Sequence, residues 1–151
     1  ARPGIAGGGR AASFDVETTM PDQPDSVTPE FLRAFADAWN RHDLDALMSA
    51  MADDCEFHGV AGPDLLGRSF VGRDAVRQGF ALAWQTFPDA AWVDPEIFVS
   101  GDRGVMLTTF KGTRGDGARI EARMVDVFTF RGGKIAVKNA FRKDRPPIAG
   151  A

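Results

Sequence analysis

The chain has few of the side chains that carry metal, redox or disulfide chemistry: one cysteine, two histidines and no tyrosine among 151 residues. A lone cysteine, Cys55, excludes a disulfide within the chain. With no ligand-spaced cluster of histidine and cysteine we expect no metal site and no cofactor. The glycine run at 7–9 does not follow a strand pattern, so it does not predict a phosphate-binding loop.

Long apolar runs and a strong excess of one charge are also missing. No segment approaches the roughly 20 apolar residues of a membrane span, and the N-terminal residues lack an apolar signal core. The 18 basic and 21 acidic residues give a net charge of -3, which excludes a broad cationic face for nucleic acid or an anionic membrane. We therefore expect a soluble, cytoplasmic protein that binds neither.

One late stretch of the chain concentrates basic side chains, namely Lys138, Arg142, Lys143 and Arg145. Such a group predicts either the solvated end of a strand or a site that holds an anionic group of a ligand.

An apolar content of 44% is enough to bury the core of one domain. Residues 1–27 are rich in glycine and proline and differ in composition from the rest, so they predict an extended or disordered N-terminal arm. We place the folded domain at 28–145 and a C-terminal tail at 146–151.

Three helices are predicted from capping residues and apolar spacing. Thr28 is an N-cap candidate, and the first helix should run from there to about residue 41. Asp43 caps a second, short helix that we expect to end at the acidic pair 53–54. The third predicted helix spans 73–87.

Strand patterns dominate the rest of the chain. A short strand at 55–59 and a loop rich in glycine and proline at 60–72 precede the third helix. Further strands are expected at 92–100, 105–111 and 119–130, and a last strand follows Gly132 and Gly133. Helices first and long strands afterwards indicate an α+β fold, with the helices gathered on one face of an antiparallel sheet.

The last predicted hairpin carries an acid on its apolar face. Asp126 shares the two-residue period of Met124, Phe128 and Phe130, so its side chain should point inward. A buried carboxylate needs a partner, and such groups are frequent at binding and catalytic sites.

The turn at Gly132 and Gly133 allows two registers of this hairpin. A two-residue turn would set Asp126 opposite Asn139. A three-residue loop with a bulge would set Asp126 opposite Lys138, between Ala136 and Ala140, whose small side chains leave room for a cavity. We favour the second register, in which Lys138 forms an ion pair with Asp126.

Taken together, five motifs resemble the nuclear-transport-factor-2-like superfamily, which includes SnoaL-like polyketide cyclases, ketosteroid isomerases and limonene epoxide hydrolases. The motifs are AWNRHDLDAL at 38–47, MADDCEF at 51–57, VGRDAV at 71–76, FPD at 87–89 and DVFTFRGGKI at 126–135. The resemblance covers about residues 29–145. It implies a cone-shaped fold in which three N-terminal helices pack in the concave face of a curved, mostly antiparallel sheet.

The resemblance also limits the chemistry. Asp126 falls where ketosteroid isomerases have the acid of their oxyanion hole, but Phe35 falls in place of its tyrosine and Gly59 in place of the general base. Ala140 and Lys138 likewise stand where epoxide hydrolases have an aspartate and a tryptophan. Neither of these two mechanisms is therefore expected.

Within the cone implied by the resemblance, Asp126, Lys138 and His58 are the candidate catalytic residues. A lysine beside Asp126 favours an ionised base or an organising ion pair over a protonated donor. His58 titrates near neutrality, although strand alternation would turn it away from the interior. The candidate substrate-binding residues are Phe35, Trp39, Phe57, Phe80, Trp84, Met124 and Arg142.

Two functions fit these residues. The first is a cofactor-independent enzyme of SnoaL-like type that isomerises, cyclises or dehydrates a small apolar carbonyl compound. The second is a ligand-binding or dimerisation domain without turnover. We also expect a homodimer through the outer sheet face, defined by Val125, Val127, Val137 and Phe141, because this face is too apolar for water.

Overall fold

The computed structural model describes residues 26–149, and within this range three helices precede or interrupt a six-stranded sheet. The helices are α1 (Pro29–Asn40), α2 (Leu44–Ser49) and α3 (Arg73–Thr86). The strands are β1 (Met51–His58), β2 (Ser69–Val71), β3 (Ala91–Ser100), β4 (Arg103–Thr113), β5 (Arg119–Arg131) and β6 (Lys134–Arg142). The predicted α+β fold is confirmed.

The helices begin where their capping residues predict. The Thr28 side chain accepts a hydrogen bond from the backbone N–H of Phe31, and the Asp43 side chain accepts one from Ala46. The second helix is shorter than predicted, because the chain leaves it at Ala50 and pairs as β1 from Met51 onward. The pairing with β6 overrides the local helical pattern at this point.

The strands form one sheet in the order β2-β1-β6-β5-β4-β3. Only the β1–β6 pair is parallel, and the other pairs are antiparallel. The short strand β2 lies inside the segment predicted to be loop, and the other predicted strands are present with longer bounds. Partly buried and buried residues alternate along β4, β5 and most of β6, which gives the sheet one inner face that is covered by the helices.

The final hairpin combines features of both predicted registers. Gly132 and Gly133 both have positive φ, at 59° and 71°, and form a two-residue turn, so the favoured three-residue loop was wrong. A bulge then adds one residue to β6, since Phe130 pairs with Ile135 but Thr129 pairs with Val137. A bulge was expected at Gly133 in the loop, and the structure has it at Ala136 in the strand.

As a result, Asp126 faces Ala140 directly, and neither Asn139 nor Lys138 stands opposite it. Lys138 and Ala140 are buried on the side of Asp126, as the favoured register predicted, whereas Ile135 pairs with Phe130 and is buried, as the other register predicted. Lys138 reaches the carboxylate diagonally from two residues away.

Side-chain hydrogen bonds fasten the end of α1 to the edge of the sheet. The Asn40 amide donates to the carbonyl of Trp92 at 2.9 Å and accepts from its backbone N–H at 2.8 Å. His42, in the turn after α1, bonds through Nε2 to the carbonyl oxygen of Ala90 at 3.1 Å. These bonds fix the position of the end of α1, which contains Trp39, relative to β3.

The sheet face turned away from the helices is partly exposed. Phe141 is half exposed, and Val125, Val127 and Val137 are partly buried. Val125 lies beside Phe141 on one side and beside Leu107 on the other. The outer sheet face is therefore apolar around Val125. Asn139 lies beside Val127 and Thr129 beside Val137 on the same face.

The ends of the chain add two observations. Of the predicted N-terminal arm, residues 1–25 lie outside the described residues, whereas Val27 is buried in the core. Near the other end, Ile148 bridges to Arg119 through a backbone hydrogen bond of 2.8 Å. No helix among the described residues is long and apolar enough to cross a membrane.

Candidate functional site

A cavity of about 310 Å³ lies between the helices and the inner face of the sheet. Trp39 from α1, Phe57 from β1 and Met124 from β5 form part of its wall, with Lys138 and Arg142 from β6. Each of these five residues was a candidate site residue from the sequence. The wall is otherwise mainly apolar, which is usual for sites that take small organic molecules.

Lys138 is the most deeply buried charged group of the cavity wall. It is 3% exposed, and its Nζ donates a hydrogen bond of 2.8 Å to Oδ1 of Asp126. Three aromatic rings surround the ammonium group, with Nζ 5.1, 4.8 and 5.9 Å from the ring centres of Trp39, Phe57 and Phe80. These ring faces attract a cation, so they help to hold the charge in an apolar environment.

Asp126 lies behind Lys138 and is not part of the cavity wall. It is 2% exposed, and Lys138 provides the one side-chain hydrogen bond that it makes with the described residues. The structure thus brings the two predicted catalytic residues together, but it presents the lysine to the cavity and places the carboxylate in the second layer.

The third candidate, His58, lies on the other side of β1. Its neighbours Phe57 and Gly59 line the cavity and His58 does not, as the alternation of strand side chains requires. Its Nδ1 is 2.7 Å from Oγ of Ser69 and its Nε2 is 3.4 Å from Oε2 of Glu56. The Ser69 contact joins β1 to β2, and both contacts keep the imidazole away from the cavity.

The remaining predicted substrate-binding residues form a layer behind the wall. Phe35, Phe80 and Trp84 are absent from the wall itself. Phe80 packs edge-on against Trp39 with ring centres 4.9 Å apart, and Trp84 lies 5.3 Å from the same ring. Phe35 packs edge-on against Phe128, with ring centres 5.9 Å apart. These rings fix the positions of the wall residues.

Arg142 stands at the end of β6 with its guanidinium 5.2 Å from the ring centre of Phe110. Burial lowers the pKa of Arg142, and the negative charge of Asp144 acts in the opposite direction. An arginine remains charged at neutral pH in any protein environment. No carboxylate of the described residues lies within 4 Å of Arg142.

Several wall residues were missed by the sequence analysis. Trp92 and Phe110 face each other across the β3–β4 pair and line the cavity, and Phe70 of β2 and Arg68 of the preceding loop also line it. Alternation in β4 places Phe110 on the inner face, so that residue could have been found. Arg68 and Phe70 follow from no local pattern, because β2 is a three-residue strand inside a loop.

With this geometry in place, the family of the chain can be stated. Residues 32–138 match the family described as SnoaL-like domains, which is well over half of the chain, and the protein belongs to that family. The superfamily resemblance and the cone-shaped fold expected from the sequence are confirmed. No curated protein matches the chain.

Solved structures share the fold at low sequence identity. A Catenulispora acidiphila protein with a ketosteroid isomerase-like fold, solved with trimethylamine, is 21% identical over 76% of this chain and 86% of its own, with a TM-score of 0.66. A Pseudomonas putida protein proposed to be a polyketide cyclase is 16% identical over 77% and 91%, with a TM-score of 0.68. TerC, co-crystallised with polyporic acid, is 22% identical over 77% and 92%, with a TM-score of 0.64.

Proposed function

We propose that this protein is a SnoaL-like enzyme that performs acid/base chemistry without a cofactor on a small apolar carbonyl compound in the cavity. The observation that carries the proposal is the buried ammonium of Lys138, which lies at the cavity wall and is bound to Asp126 at 2.8 Å. Placing a charge in an apolar wall costs free energy of folding. An active site gains from such a charge, because its electrostatic effect is strongest where water is excluded.

The pair can move a proton to and from the carbon next to a carbonyl group. Lys138 hands the proton of its hydrogen bond to Asp126, and its amine then takes the carbon-bound proton of the substrate. The products are an enolate, a lysine ammonium and a protonated Asp126. Return of the proton from Lys138 to another carbon completes an isomerisation. Attack of the enolate on a second carbonyl gives an alkoxide, and its protonation by Lys138 completes a cyclisation. In both cases Asp126 then returns its proton to the lysine amine.

In this scheme Lys138 is the catalytic residue, and Asp126 stores the proton and positions the ammonium. Trp39, Phe57, Met124 and Arg142 contact the ligand from the wall. The polyketide cyclase proposed among the structural neighbours, and the polyporic acid bound by TerC, support polyketide-like compounds as the first substrates to test.

The test is thermal-shift screening of the wild type, Asp126→Asn and Lys138→Met against small ketones, enones, epoxides and polyketide-like aromatics, with product analysis of each hit. Lys134→Met is the matched control, because Lys134 lies on the same strand but is exposed and bonds only to the carbonyl of Ser49. Circular dichroism of each variant checks that it is folded.

We expect a compound that wild type and Lys134→Met convert and that the other two variants bind without conversion. Turnover by Lys138→Met at the wild-type rate would refute the role of the ammonium. Binding without conversion by every variant, including the wild type, would favour a ligand carrier of the same fold.

A further inference from the structure

We infer that the ligand of the cavity carries an oxygen-centred negative charge, such as a carboxylate or an ionised enol, and that Arg142 binds this charge. The inference deepens the proposed function and rests on the same cavity, although it does not depend on turnover. It follows from the charges of the wall, its hydrogen-bonding groups and the surface around its mouth.

All ionisable side chains of the cavity wall are cationic. They are Arg68, Lys138 and Arg142. Asp126 neutralises Lys138 from behind the wall, whereas Arg68 and Arg142 have no carboxylate of the described residues within 4 Å. A cationic ligand would therefore meet repulsion, and an anion would meet unneutralised charge.

The side chains of the wall also contain more hydrogen-bond donors than acceptors. The ammonium of Lys138 and the guanidinium groups of Arg68 and Arg142 can only donate hydrogen bonds. Thr86 is the one wall side chain that contains an oxygen atom. A ligand with acceptor oxygens therefore meets three donor side chains in this wall and one side chain that can accept.

The surface at the mouth continues the positive charge. A second depression of about 690 Å³ shares Val60, Ala61 and Arg142 with the cavity wall. Its other charged residues are Arg114, Lys143, Asp144 and Arg145. Arg114 is paired with Asp116 at 3.1 Å. Three cations without such a pair among the described residues, Arg142, Lys143 and Arg145, and one acid, Asp144, therefore surround the mouth, although the net charge of the chain is -3. A local field of this kind draws anions toward the mouth.

Arg142 is the residue where these features meet. It belongs to both the cavity and the depression, and the ring of Phe110 beside it holds the guanidinium over the apolar wall. A small ligand can therefore place its apolar part in the cavity and its charged oxygens against Arg142. Arg–carboxylate contacts are strong because they are charge-assisted and can use two parallel hydrogen bonds.

Isothermal titration calorimetry with two matched probes, 2-naphthoate and methyl 2-naphthoate, tests the inference. The probes share a ring system, and only the first is charged. We expect 2-naphthoate to bind wild type about tenfold or more tightly than the ester, which corresponds to one charge-assisted contact. Arg142→Gln should weaken naphthoate to the level of the ester and leave the ester unchanged, and Arg142→Lys should retain part of the preference.

Arg145→Gln is the control for the general charge of the mouth, because Arg145 is exposed and lines only the depression. Its effect on naphthoate should be less than about threefold. Equal affinities of the two probes, a preference that survives in Arg142→Gln, or no binding of either at millimolar concentration would each overturn the inference. Selective binding through Arg142 without conversion of any carbonyl compound would support it while refuting the proposed enzyme.

Discussion

Replacing both members of the Asp126–Lys138 pair with apolar residues separates its effect on stability from its effect on function. The variant is Asp126→Val/Lys138→Met, in which the new side chains differ from the old ones by no more than about one methyl group in volume. Both charged side chains are almost fully buried, at 3% and 4% exposure. Each therefore loses its hydration on folding, and the pair must recover that cost within the protein.

The structure indicates that contacts within the protein do not fully replace the hydration that Asp126 and Lys138 lose on folding. A carboxylate can accept about four hydrogen bonds, and with the described side chains Asp126 makes one. Aromatic rings around Lys138 return about 0.5–2 kcal/mol. Removing one partner alone should lower the free energy of unfolding by about 3–5 kcal/mol, because an unpaired buried charge remains. Removing both should leave stability unchanged or raise it by up to about 4 kcal/mol.

Urea unfolding followed by tryptophan fluorescence measures these differences in a double-mutant cycle. Product analysis on a substrate found by the screen measures function in the same proteins. The expected outcome is a folded, stable double variant without turnover. A double variant that is less stable than either single variant and still converts substrate would refute the reasoning, because the pair would then serve the core and not the chemistry.

Three further predictions concern other parts of the chain. Gly104→Ala should destabilise the fold by about 1–3 kcal/mol, because its Cβ would lie 2.7 Å from the ring of Phe130; Gly115→Ala, which meets nothing within 4 Å, should change the urea midpoint very little. Burial raises the pKa of the Cys55 thiol, so less thiolate is present at any given pH and a disulfide reagent at pH 8 should react slowly with native protein and rapidly in urea; rapid native reaction would contradict this. We propose that the outer sheet face forms a homodimer, so light scattering at micromolar concentration should show a dimer that Phe141→Glu converts to a monomer, whereas a monomeric wild type would argue against it.

The sequence predicted the features that depend on local rules. Thr28 and Asp43 start their helices because capping is a property of a few adjacent residues. The inward direction of Asp126 follows from strand alternation, which does not depend on the partner strand. The same alternation correctly predicted that His58 points to the other side of β1 from Phe57 and Gly59, which line the cavity.

Features that depend on pairing between distant segments could not be predicted in this way. The second helix ends early because Met51 pairs with Ile135, more than eighty positions along the chain. The bulge at Ala136 arises where β6 must satisfy β1 on one side and β5 on the other. Division of the aromatic residues into a wall and a layer behind it is likewise set by packing in three dimensions, since all of them have the same apolar pattern in sequence.

The bulge also determines which charged group of the hairpin faces the cavity. Because one residue is added at Ala136, the small Ala140 faces Asp126, and the space above the carboxylate is left to Lys138. The acid expected at the centre of the site is thereby covered by an ammonium group, and the charge presented to a ligand changes from negative to positive. Arg142 adds a second positive charge at the mouth. A substrate for this chain is therefore expected to develop or carry negative charge on oxygen, which an ammonium and a guanidinium can stabilise together.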